Sequence, residues 1–150
     1  MALADLVATL RTDLSDPGGD LFTGEVLGRC ILKGVYRLAR DLDITLSVVD
    51  GEVSPEPEGE TRELLLLLGQ IHACQVMRAA TANAFSFSSG DKRVDKSKQP
   101  EHWAKLEEDL KAVYKQRLGE IKPGASASPE DYIISPSDLK PVIYEQGSDL

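Results

Sequence analysis

Along residues 2–14 the apolar positions Leu3, Leu6, Val7, Leu10 and Leu14 recur at steps of three and four, the spacing of one helix face. Ser15, Asp16, Pro17, Gly18 and Gly19 end that run with turn residues. A second run follows Thr23, a hydroxyl residue suited to cap a helix start, with Glu25 in the first turn. Its apolar face is Leu27, Cys30, Ile31, Gly34, Val35, Leu38 and Leu42. Ile44, Leu46 and Val48 then alternate with Thr45 and Ser47, the period of a strand, and Asp50 with Gly51 signals a tight turn. The spacing predicts a third helix over 61–84, opened by five consecutive leucines and apolar nearly all round, as a central bundle helix is. A fourth starts at Pro100, favoured at the first helical position, and runs to Ile121. Its expected apolar face is Trp103, Leu106, Leu110, Val113, Tyr114, Leu118 and Ile121, with Glu107, Glu108, Lys111 and Lys115 opposite. The predicted fold is therefore all-α: a small four-helix bundle over 1–121, with a short β element near 44–53 and an extended arm over 122–150.

Two stretches stand outside that bundle. The connection 85–99 reads as a long loop, with Phe85, Phe87 and Val94 able to dock and Lys92, Arg93, Lys96 and Lys98 outnumbering Asp91 and Asp95. The arm is broken by Pro123, Pro129, Pro136 and Pro141, which bars a long helix. It nevertheless holds two β-prone triplets, Tyr132, Ile133, Ile134 and Val142, Ile143, Tyr144. Sticky triplets in a segment with no core of its own are expected to order on a partner, by adding a strand to an exposed sheet edge.

Charge sharpens this picture. The 150 residues carry a net charge of −8, contrary to the basic surplus of a generic nucleic-acid binder. The acidity is local: residues 50–63 hold six acids and one base, and residues 123–150 five acids and one base, leaving the rest near neutral. Against it, Arg29, Lys33, Arg37 and Arg40 form a basic stripe on the second helix, expected either to be solvated or to meet an acidic neighbour. That neighbour is another subunit or the acidic segment that follows.

Candidate chemistry is sparse. Cys30 and Cys74 lie inside helical runs and read as buried, reduced thiols rather than a disulfide framework. His72 stands two residues from Cys74, off its helix face, and reads as a half-buried structural histidine; His102 reads as exposed. Gly18, Gly19 and Gly90 are turn residues with no phosphate-loop spacing, and no serine sits in a nucleophile elbow. The longest apolar run, residues 64–68, is short of the about 18–20 residues that span a bilayer, and no basic residue precedes an apolar N-terminal core. We expect no enzyme, cofactor or metal, and neither a membrane anchor nor an export signal.

The order of features resembles a known family. The turn RTDLSDPGGDLFTGEVL, the helix LGRCILKGVYRLARDL, the long apolar helix, and the stretch FSFSSGDKRVDKSKQPEHWAKLEEDLKAVYKQRL resemble the head-to-tail connector (adaptor) proteins of tailed bacteriophages. The likeness covers residues 3–118, its most specific piece being the aromatic-Ser-Gly-Asp-x-x-Val-Asp-x-Ser stretch that feeds the Trp103 helix. It implies a virion protein assembled in the host cytoplasm. Copies of it, twelve in the usual case, would form a ring below the portal. The ring would extend the DNA channel without reading sequence and offer a surface to a stopper or tail completion protein. It implies too that Tyr132, Ile133, Ile134, Val142, Ile143 and Tyr144 clasp the portal. Arg29, Lys33, Arg37, Arg40, Phe85, Phe87, Lys92, Arg93, Lys96 and Lys98 would then serve contacts between subunits or along the neck. The competing expectation is a soluble helical regulatory or partner-binding module unrelated to virions. A helix-turn-helix DNA binder would need the second helix as its reader, against the acidic segment beside it.

Overall fold

The computed structural model of the chain describes residues 1–87 and 99–123. Its elements run α1 (Leu3–Asp13), α2 (Gly24–Leu42), β1 (Ser47–Val49), β2 (Glu52–Ser54), α3 (Gly59–Phe87) and α4 (Gln99–Ile121). The mainly helical bundle with a small two-stranded sheet agrees with the sequence expectation.

Local chemistry sets most of these boundaries. The Thr23 hydroxyl accepts the Val26 N–H at 3.2 Å, satisfying one of the free donors at the start of α2. Both α1 and α2 end in a left-handed residue, Ser15 (φ 56°) and Asp43 (φ 55°). At α1 the Asp16 N–H reaches Arg11 O and the Ser15 N–H reaches Thr12 O; at α2 the Ile44 and Asp43 N–H groups reach Ala39 O and Arg40 O. These paired bonds are Schellman closures, which satisfy the last helical carbonyls. Ile44 is thereby committed to the end of α2, so β1 starts at Ser47 and not at Ile44 as the alternation implied. The hairpin pairs Ser47 with Ser54, Val48 with Val53 and Val49 with Glu52. Asp50 (φ 51°) and Gly51 (φ 77°) both take positive φ, as a two-residue hairpin turn of the favoured hand requires.

α3 is the axis. All five leucines of 64–68 are buried, although successive helical residues point about 100° apart. Only a helix covered on several sides can bury such a run, and α3 packs on α1, α2 and α4. Over Gly59–Ala82 it is also long and apolar enough, by length and composition, to cross a membrane; here its apolar side chains through Cys74 are taken up by the other helices. Two glycines allow the close approach. A Cβ on Gly34 would lie 3.2 Å from Leu65 and Leu68 side-chain carbons, and one on Gly69 3.0 Å from Leu10 Cδ2. The core continues through Leu6, Leu10, Leu27, Ile31, Val35, Leu38, Leu46 and Val53, and closes over Phe22, Tyr114 and Leu118.

Three expectations are corrected. α3 runs through Phe87, so Phe85 and Phe87 belong to its last turns rather than to a loop; nothing in Ala-Phe-Ser-Phe breaks a helix before Ser88, Ser89 and Gly90. On α4 the inward positions are Trp103, Glu107, Leu110, Tyr114 and Leu118, whereas Leu106, Val113 and Ile121 are exposed. Glu107, placed on the outer face by the sequence pattern, is instead 3% exposed. Lys92, Arg93, Lys96 and Lys98, and the arm residues Tyr132, Ile133, Ile134, Val142, Ile143 and Tyr144, lie outside the described residues.

Candidate functional site

The four cations of α2 lie within an arc of about 80° around the helix, with Arg37 at the edge nearest α4. Each step of four residues advances about 40° beyond a full turn, and the last step of three turns back about 60°, so Arg40 falls between Arg29 and Lys33. Arg37 turns toward α4, where its guanidinium lies 5.3 Å from the centre of the Tyr114 ring, close enough for a cation–π contact. Its Nε also reaches Asp41 Oδ2 at 3.4 Å, and Arg40 reaches Asp41 Oδ1 at 3.6 Å. The Tyr114 hydroxyl donates to Asp41 Oδ2 at 2.8 Å. Burial first, and the Asp41 carboxylate second, push the phenol well above its ordinary range, so it stays a donor. Asp41 thus joins Arg37 to Tyr114, while Arg40, its side chain 77% exposed, stays on the surface. Tyr114→Phe, which removes one bond to a carboxylate, is expected to cost about 1–2 kcal/mol by thermal melting with helix content unchanged.

Arg29 and Lys33 are different. Both are exposed, and neither has an ion-pair partner among the described residues. Arg29 stands on the rim of an open groove of about 620 Å³ between the start of α1, the first half of α2 and β1. Leu3, Val7, Leu32 and Val48 give it an apolar lining, and Glu25 shares the rim. Tyr36, one turn beyond Leu32 on the same side of α2, is 65% exposed, and Val49 beside the groove 58%. The acids Asp50, Glu52, Glu56, Glu58, Glu60 and Glu63 are all exposed along the hairpin and the start of α3.

A second concave surface, of about 500 Å³, lies between α3 and α4 and is lined by Gln75, Arg78, Ala79, Ala82, Pro100, Glu101 and Ala104. Beneath it sits a polar cluster that the sequence pattern missed. Glu107 accepts from Gln75 Nε2 at 3.0 Å, pairs with Arg78, and meets Lys111 Nζ at 2.7 Å. Burial raises the carboxyl, but these three donors outweigh it and bring the pKa down to about 2. Next to it, His72 Nδ1 is 3.2 Å from Gln75 Oε1, while Nε2 is buried without a partner. Burial holds His72 below its usual value, so it is neutral near pH 7. His102 is exposed, as the pattern predicts.

The turn between α1 and α2 hides a second missed group. Asp16, 4% exposed, accepts the N–H groups of Asp20 (2.8 Å), Leu21 (3.2 Å) and Phe22 (3.0 Å), with Arg11 at 3.4 Å. Burial works against its charge, but the backbone donors and Arg11 hold the carboxyl below the ordinary range. The available signal was an acid directly before Pro-Gly-Gly, whose successor N–H groups need acceptors. For Glu107 the signal was its place in the series 103, 107, 110, 114, 118.

Cys30 and Cys74 are buried and unpaired, and burial raises both thiols, Cys74 to about 11. Among the described residues, no three His, Cys, Asp or Glu side chains gather where they could hold a metal ion. The arrangement presents surfaces: a free basic rim beside an apolar groove, an acidic hairpin, and a charge cluster that clamps α3 to α4. Comparison with family models, curated proteins and solved structures finds no match to this chain.

Proposed function

We propose that this chain is a non-catalytic building block of a bacteriophage neck, a connector subunit that assembles into a ring beneath the portal and continues the DNA channel toward a stopper or tail completion protein. The observation that carries the reading joins the first and the last of the stretches on which the family likeness rests. Phe22, at the end of the Pro-Gly-Gly turn, meets Trp103 of the fourth helix edge-to-face, with ring centres 6.3 Å apart. The turn before α2 and the Trp103 helix are thus packed against each other.

Further support comes from the surfaces. A ring needs two different, complementary patches on each subunit. Arg29 and Lys33 supply unpaired positive charge, and the exposed acids of 50–63 supply the opposite sign. In this reading the arm over 122–150 reaches the portal, and acidic walls keep duplex phosphates from binding as DNA slides past.

The test is native mass spectrometry with negative-stain imaging of the full chain, alone and with portal protein. Closed rings, twelve copies being the expected count, support the proposal, and Arg29→Glu with Lys33→Glu is expected to dissociate them. A protein that stays monomeric at every concentration and ignores the portal overturns it in favour of a partner-binding module.

A further inference from the structure

We propose that the groove beside Arg29, together with the free edge of β1, is the receptor for residues 130–136 of a second copy of this chain. The inference deepens the ring reading and rests on the self-association it requires.

The hairpin has one open side. The outer edge of β2 is occupied by the chain's own start: Ala2 bridges to Glu52, the Val53 N–H donates to Met1 O at 2.9 Å, and the Leu3 N–H donates to Gly51 O at 2.8 Å. β1 has no such neighbour among the described residues, so its outer backbone groups can pair with one more strand. That edge borders the groove, because Val48 of β1 forms part of its lining. An added strand would lie beside Val48 and turn alternate side chains toward the lining that α2 contributes at Leu32.

The sequence holds a segment with matching chemistry. Glu130 and Asp131 directly precede Tyr132, Ile133 and Ile134, so two acids lead a run of strong β-formers. The acids suit the unpaired Arg29 on the groove's rim, and the aromatic and branched side chains suit the apolar floor. Val142, Ile143 and Tyr144 are left for the portal.

Reach decides which copy supplies the segment. α2 and α4 run the same way, since Trp103 meets Phe22 near one end and Tyr114 meets Asp41 near the other. Pro123 therefore lies about 13 Å beyond Asp41, while Gly28 in the groove lies about 20 Å behind it, at 1.5 Å per helical residue. Residues 124–131 span at most about 27 Å fully extended. That is less than the roughly 33 Å to Gly28 and only matches the roughly 27 Å to Leu32 at the groove's near end, which leaves nothing for the detour around α2 to the α1 side. The groove opens on the α1 side and the chain departs from the α4 side, so a copy placed head-to-tail brings arm and groove together and propagates around a closed ring.

The experiment places the photoreactive residue p-benzoylphenylalanine at Tyr132 in the full chain, irradiates it, and maps the products by mass spectrometry. Expected are cross-linked dimers and higher multimers, with attachment to residues 3–7, 24–32 or 47–49. The exposed-site change Arg29→Glu should lower their yield roughly fivefold to tenfold. Asp131→Lys with Arg29→Glu should restore much of the yield. Attachment within one chain, or to sites outside the groove, overturns the proposal. If rings persist on native mass spectrometry while cross-links fall elsewhere, the groove assignment fails and the ring reading stands. If only monomers form and no cross-link appears, both fall.

Discussion

Gly69→Val is expected to destabilise the fold by about 3 kcal/mol, a large fraction of the roughly 5–15 kcal/mol that holds a domain together. Even a bare Cβ at this position would sit 3.0 Å from Leu10 Cδ2, 3.2 Å from Ile31 Cδ1 and 3.3 Å from Leu10 Cδ1. Valine adds two methyl groups at the place where α1, α2 and α3 meet. Leu10 and Ile31 are fully buried, so neither can swing into solvent, and the helices must move apart. Urea melts should show a lower midpoint with an unchanged slope, because the surface exposed on unfolding hardly changes. Gly69→Ala should fall between wild type and valine. Equal stability of all three would mean the three helices do not meet as described.

Glu107→Ala is the second large effect, expected at about 3 kcal/mol. The carboxylate is 3% exposed and holds Gln75, Arg78 and Lys111 together across the α3–α4 contact. Truncation strands the Gln75 amide and leaves two cations facing each other without their counter-charge. A pH signature separates this from simple packing loss. The folded pKa of about 2 lies below the ordinary glutamate value of 4.5, so the charged form is favoured by folding. This stabilisation is complete above about pH 4.5, falls as pH drops toward 2, and is absent below both values. Wild-type and Glu107→Gln melting curves should therefore converge as pH falls through that window and separate above it. A constant gap down to pH 2 would contradict the assigned network.

Glu107 also shows where sequence reading stops. The helices themselves were legible because their signals are local: Thr23 caps α2, Asp50 and Gly51 make a turn only positive φ permits, and Pro100 falls in the first turn of α4. The phase of α4 was not. Its apolar residues occupy two neighbouring stripes, Leu106 with Val113 and Leu110 with Tyr114, and periodicity cannot tell which stripe faces α3. What decides is the partner helix, where Gln75 and Arg78 place polar groups opposite position 107. The basic stripe concealed a difference among its members for a related reason. Its cations share one arc, yet Arg37, at the edge toward α4, meets the Tyr114 ring, while Arg29, Lys33 and Arg40 stay exposed. The groove was hidden because Leu3, Leu32 and Val48 come from three elements and meet only in the folded bundle. Asp16 was equally opaque, since the backbone donors around it exist only once the turn has closed.

The two sequestered thiols carry a practical consequence. Cys30 and Cys74 lie under the helices in a neutral, unreactive form, so a maleimide or disulfide dye should find nothing to modify in the native subunit. A cysteine introduced on the surface becomes a unique handle, available for fluorophores without removing the natural pair. Conversely, slow labelling of the unaltered chain becomes a stopwatch for spontaneous opening of the bundle. Run with free subunits and again with assembled particles, that stopwatch would read how far association suppresses breathing at the centre.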